Sequence, residues 1–116
     1  MTPTDELRNK HRRLLDEKIP EEGTELDTRF LDSEIDELIQ EADSIYAAAA
    51  GGWTEKAGMY QREMAGLEET STGQERYKLT SLKDRVEYAL KMAMTYGEMA
   101  KKPGSYMLGV EKPEVL

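Results

Sequence analysis

The side chains that could do chemistry are few and scattered. His11 is the one imidazole in 116 residues, and there is no cysteine. A single histidine cannot build a multi-histidine metal site, and it leaves a Ser-His-Asp arrangement with only that one candidate base. Without a thiol there is no cysteine nucleophile, no disulfide framework and no Cys-containing zinc site. Glu34, Glu37 and Glu41 recur at helical spacing, and Glu63 with Asp43 offers a second carboxylate pair across helices. Such clusters hold di-metal centres when Glu-x-x-His motifs complete them, and none occurs here, so the glutamates read as a solvated face. Gly51-Gly52 lacks both the GxGxxG spacing and a preceding strand, and no GxxxxGK[ST] string exists to cradle a phosphate. Trp53 and the six tyrosines could stack on a ligand, but Trp53 falls on an apolar stripe, where core packing is its ordinary role. The expectation is a chain with no catalytic residues, no cofactor and no bound metal, and hence not an enzyme.

The elements that would position these residues read as helix after helix. Thr4 caps a first helix running to about Glu17 and stopped by the Ile19-Pro20 pair, because the residue before proline avoids the helical region. On that helix Leu7, His11, Leu14 and Leu15 share a face, which leaves Arg8, Lys10, Arg12 and Arg13 near water. Pro20 to Arg29 reads as an exposed linker. Asp32 or Ser33 opens a second helix, with Ser33 and Asp36 as an approximate capping box and Phe30 or Leu31 as the apolar staple. From Ile35 through Leu38, Ile39, Ala42, Ile45, Ala49, Trp53, Ala57, Tyr60 and Met64 to Leu67, apolar residues advance by three or four positions at every step. The phase survives Gly51-Gly52, so one long helix is expected, bent or briefly broken between Glu41 and Gly52 and ending within Gly66 to Gly73. The small residues Ala47, Ala50, Gly51 and Gly52 suit close packing against another helix or another subunit. Thr80 or Ser81 caps the last helix, whose stripe is Leu82, Val86, Ala89, Leu90, Ala93, Tyr96 and Ala100, and Pro103-Gly104 stops it. The fold class is all-α: a bundle of three to four helices spanning residues 1–103.

Residues 104–116 form an extended arm or tail. Tyr106, Met107, Leu108 and Val110 lie close together in it, and such a segment can bind by adding a strand to the edge of a partner's sheet.

Charge is spread unevenly. Net charge is −8, yet Asp16 to Asp43 alone holds twelve acidic residues against Lys18 and Arg29. That stretch is either a solvated loop and helix face or an acidic surface that repels nucleic acid or docks a basic partner. No apolar run approaches the roughly 20 residues of a membrane span. The opening MTPTDELRNKHRR has no signal-peptide core, so a soluble protein of a reducing compartment, with no membrane partner, is expected.

The order of features resembles the head-to-tail adaptor, or head completion, proteins of long-tailed bacteriophages. The resemblance runs through the acidic entry Thr24 to Ile35, the run Ala47 to Ala50 with Gly52-Trp53 and Lys56-Ala57, and then Gly73, Arg76, Leu79, Ser81-Leu82 and Ala89 to Ala93. It covers residues 24–97. This chain departs from the pattern in carrying two glycines before Trp53 and Thr80 before the serine. The resemblance implies a virion protein, made in the host cytoplasm, that forms a homo-oligomeric ring of about twelve subunits beneath the portal protein. Such a ring extends the DNA channel and meets a tail-side connector or tail terminator, while double-stranded DNA passes without specific binding. It also implies that the C-terminal arm, Tyr106 to Val110, engages the portal. A second class stays open: an acidic helical regulator or DNA mimic that binds a basic partner.

Overall fold

The computed structural model describes residues 1–70 and 76–101. Among them are four α-helices and no strand: α1 (Asp5–Leu14), α2 (Asp32–Glu41), α3 (Ile45–Thr70) and α4 (Arg76–Ala100), with a single 3-10 turn, Glu25–Asp27, in the linker before α2. The arrangement is a small all-α bundle. α3 and α4 form a long antiparallel hairpin, and the shorter α1 and α2 pack together against the first half of α3.

Thr4 caps α1 as its side chain predicts: the hydroxyl accepts from the Leu7 N–H at 3.1 Å, while Asp5 and Glu6 sit in the first turn. The helix stops earlier than the proline implies. Asp16 adopts a left-handed φ of 58°, the Glu17 N–H reaches back to the Arg12 carbonyl at 2.8 Å, and the Asp16 N–H reaches that of Arg13 at 3.2 Å. This is a Schellman-type stop with aspartate in the place glycine usually takes.

α2 opens at Asp32. The Glu34 carboxylate accepts from the Leu31 N–H at 2.8 Å, so Glu34 supplies the capping contact expected of Asp36. Phe30 is buried at this entry and Leu31 is exposed, which makes Phe30 the staple. At the other end the Met1 α-amino group donates to the Ile39 carbonyl at 3.1 Å and to that of Ala42 at 2.9 Å, placing a cation on the negative end of the helix.

The expected break in the long apolar run falls at residues 42–44. Ala42 is extended, and the Ser44 hydroxyl accepts from the Ala47 N–H at 3.1 Å to start α3. α3 then runs through Gly51-Gly52 without interruption. The last helix begins at Arg76, several residues before the expected caps. Thr80 and Ser81 lie exposed inside it, because the stripe through Leu82, Val86 and Ala89 extends back to half-buried Leu79 and holds the earlier turn against α3.

Hairpin register follows from three ring contacts. Tyr46 stacks on Tyr96 with centroids 6.1 Å apart, Trp53 meets Tyr88 edge-on at 5.6 Å, and the Arg85 guanidinium lies 5.9 Å from the centre of the Tyr60 ring. Ascending positions 46, 53 and 60 of α3 thus meet descending positions 96, 88 and 85 of α4, the order of an antiparallel pair. The core of Leu15, Phe30, Ile35, Ile39, Ala48, Trp53, Ala57, Tyr60, Leu82, Val86 and Ala89 lies along this seam and under α1 and α2.

Gly52 and Gly97 separate two effects of glycine in a helix. A methyl group on Gly52 would sit 2.5 Å from Leu15 Cδ2, and Leu15 is fully buried, whereas nothing lies within 4 Å of the same position at Gly97. Gly52→Ala is therefore expected to lower stability by about 1–2 kcal/mol, overpacking exceeding the propensity gain, and Gly97→Ala to raise it by ~0.5–1 kcal/mol. Thermal unfolding followed by circular dichroism checks the opposite signs.

Candidate functional site

The densest group of polar side chains lies where the end of α1 meets α3. Stopping α1 at Leu14 leaves carbonyls without helical partners, and α3 supplies the donors. Trp53 Nε1–H donates to the Leu14 carbonyl at 3.0 Å, and Lys56 Nζ donates to the Leu15 carbonyl at 2.8 Å. Lys56 also pairs with Glu17 at 2.7 Å and lies 4.4 Å from the centre of the Trp53 ring. The Glu17 carboxylate accepts a second bond, from the Arg29 N–H at 2.8 Å. Both members of the Lys56–Glu17 pair are buried.

Arg12 ties the linker down from the same side. Its side chain is 2% exposed, and its guanidinium donates to the Glu17 carbonyl (3.1 Å), the Thr28 hydroxyl (3.0 Å), the Phe30 carbonyl (2.8 Å) and the Asp32 carboxylate (2.9 Å). This corrects the expectation that Arg12 is one of four solvated cations. Arg8 is partly covered as well, gripping Asp36 through Nε and Nη2 at 3.0 and 2.9 Å, while Lys10 and Arg13 stay exposed. Beside Arg12, His11 is fully buried, and its Nε2 makes a 2.9 Å hydrogen bond with the Ala48 carbonyl. A carbonyl only accepts, so Nε2 carries a proton and donates it. Nδ1 has no partner. Burial drives the His11 pKa below its ordinary value of 6.5; the Ala48 carbonyl opposes that shift and the Arg12 charge adds to it.

A groove of about 500 Å³ opens beside this network, lined by Asp16, Trp53, Lys56, Tyr60, Ser81, Asp84, Arg85 and Tyr88. Its walls hold no base paired with a hydroxyl, and Lys56 is committed to Glu17, a carbonyl and an indole. Glu63 bonds to Arg29 at 2.6 Å, and Arg29 in turn lies 4.4 Å over the Tyr60 ring. Among the described residues no group of three or more His, Asp or Glu is arranged to hold a metal ion. Comparison of the chain with protein-family models, with curated proteins and with solved structures finds no match.

The residues singled out for subunit packing divide. Gly52 is buried beneath Leu15 of its own chain, so its close approach is intramolecular. A methyl group at Gly51 would reach Leu38 Cδ2 at 3.4 Å, and Ala47, Ala50 and Gly51 remain half-exposed. Tyr106, Met107, Leu108 and Val110, proposed as a partner-binding arm, lie outside the described residues. The predicted acidic face is present: Glu34, Glu37 and Glu41 are exposed on α2, and Glu55 of α3 lies beside them. Partial burial, followed by repulsion from Glu34, Glu41 and Glu37, pushes the Glu55 pKa upward. α4 exposes large apolar side chains, namely Tyr77, Tyr88, Leu90 and Met94.

Sequence reasoning missed the buried roles of Arg12, Glu17 and Lys56. One signal was available for Lys56, which lies one helical step after Trp53 on the core side of the stripe, where an ammonium needs a partner.

Two outcomes follow from the network. Lys56→Met leaves Glu17 buried without its cation and is expected to cost about 3–5 kcal/mol; adding Glu17→Gln to it should restore part of the loss, read in urea unfolding. For His11 the folded protein takes up a proton less readily than the unfolded chain. Its contribution is complete above pH 6.5 and is lost as pH falls from there toward the lower folded pKa. Stability should therefore drop between pH 7 and 5, and His11→Gln should flatten that part of the profile.

Proposed function

We propose that this chain is a structural, non-enzymatic subunit of a bacteriophage head-to-tail adaptor, a ring seated between portal and tail that extends the DNA channel. The observation that carries the reading is the apolar surface that α4 leaves open among the described residues. Among the described residues α4 packs almost entirely on α3 and leaves Tyr77 89%, Tyr88 56%, Leu90 47% and Met94 70% exposed. Residues of that size are covered when copies associate, and exposed apolar surface of this kind marks an association site.

Three further features support it. The order of motifs over residues 24–97 resembles the adaptor proteins. The helical hairpin is long and slender, the molecule measuring 58 × 34 × 23 Å, a shape that stacks side by side around an axis. The linker carries exposed Glu21, Glu22 and Asp27 on a backbone held by Arg12, and a rigid acidic edge repels the phosphates of DNA that must slide past. The C-terminal arm, Tyr106 to Val110, is the segment assigned to the portal.

Co-expression with the portal protein of the same phage tests the assignment. A ring of this chain bound to portal in electron micrographs, and the chain's presence at the head–tail joint of purified virions, are the expected results. Virions without the chain, or its isolation in a one-to-one complex with a basic DNA-binding protein, would replace the adaptor with the regulator or DNA mimic.

A further inference from the structure

Two halves of the chain hold themselves together separately. α1, the linker and α2 are tied by Arg8–Asp36 at 2.9 Å, Arg12–Asp32 at 2.9 Å and the Arg12 bond to the Phe30 carbonyl, whereas α3 and α4 share a seam through Tyr46–Tyr96 and Trp53–Tyr88. The covalent crossing between them is residues 42–44, outside both helices, with Ala42 extended. The halves meet along positions 48, 52 and 56 of α3, where Ala48 receives the His11 ring, Gly52 the Leu15 side chain and Lys56 the Leu15 carbonyl.

His11 is the titratable group in the middle of that contact. Its fully buried ring makes one hydrogen bond, from Nε2 to the Ala48 carbonyl, and Nδ1 has no partner among the described residues. A second proton must therefore enter at Nδ1, away from water. Arg12 of the same helix repels it; α2 turns the Ile35 carbonyl toward the ring while Asp32 and Asp36 are held by Arg12 and Arg8; α3 offers the Ala48 carbonyl, and its Lys56 is a cation already paired with Glu17. The two carbonyls favour a charged ring, but burial is the largest influence and opposes it.

We propose that His11 is an acid-operated latch: on taking up a second proton from solvent the ring leaves Ala48, and α1 and α2 swing off the hairpin together about residues 42–44, uncovering the Ala48–Gly52–Lys56 side of α3. The two helices move as one because the bonds of Arg8 and Arg12 stay within their half and none crosses to α3. The hairpin stays formed, which separates this event from loss of the whole fold. It is independent of the adaptor reading.

Hydrogen exchange of the full chain, followed amide by amide in sub-denaturing urea at steps between pH 7 and 5, tests the latch. Amides of α1 and α2 should open with a smaller urea dependence than those of Leu82, Val86 and Ala89, as a sub-global event does. One linked proton raises the opening constant up to about tenfold per pH unit below 6.5, until the lower folded pKa of His11 is reached. Emission of Trp53, the one tryptophan, should shift to the red over the same range as its indole leaves the Leu14 carbonyl. His11→Gln keeps a donor for Ala48 without a titrating group, so its opening should lose the pH dependence. Should that variant not fold, the opening constant of the unaltered protein must level off at the His11 midpoint read from its ring signals by NMR. Amides of α1 and α2 that share the urea dependence of α4 at every pH, an opening constant unchanged from pH 7 to 5, a levelling away from the His11 midpoint, or a His11→Gln chain that keeps the full slope would each overturn the proposal.

Discussion

The fold depends on how the end of α1 is received by α3. A helix that stops in the interior leaves carbonyl groups that water cannot reach, and each unsatisfied one costs about 1–3 kcal/mol. Here the Leu14 and Leu15 carbonyls are met by the Trp53 indole and the Lys56 ammonium, and Leu15 itself lies on the bare backbone of Gly52. The Lys56 charge can be buried only because Glu17 comes with it, and Glu17 arrives through the left-handed turn at Asp16. A backbone stop, an apolar contact and an ion pair are thus one arrangement.

That arrangement organises the rest of the acidic half. Arg12 leaves α1 one residue after His11 and gathers Glu17, Thr28, Phe30 and Asp32 around its guanidinium, so a linker full of acidic residues follows a defined course. α2 is placed by this linker, by the Arg8–Asp36 pair and by Ile35 and Ile39 in the core. Buried polar networks of this kind contribute definition more than net stability, since desolvation offsets most of the ionic attraction. For a protein whose proposed work is to present charged and apolar faces to neighbouring copies, defined placement is what assembly requires.

The hairpin contributes differently. Its seam of aromatic rings and small residues is conventional helix packing, and among the described residues the second helix packs chiefly against the first. The acidic charge of α2 and the basic balance of α4 then lie on separate parts of a slender molecule.

Periodicity and capping residues alone determined that this protein is helical, where the long apolar run lies and that Thr4 begins the first helix; that the break falls at residues 42–44 and the helix runs on through Gly51-Gly52 was decided by the structure. The former are local or face-averaged properties, written in neighbouring side chains and in a repeat of three and four. The presence of acidic faces on α2 and in the linker was equally legible, because charge is additive along a sequence. Only the tertiary structure decided which polar residues go inside. Arg12, Glu17 and Lys56 are indistinguishable by type from the solvated charges around them, and what buries them is a set of partners 5 to 41 residues away. The early stop of α1 and the early start of α4 were hidden for the same reason. Capping propensity speaks for a few residues on either side of a helix end, while the packing that overrides it comes from another helix.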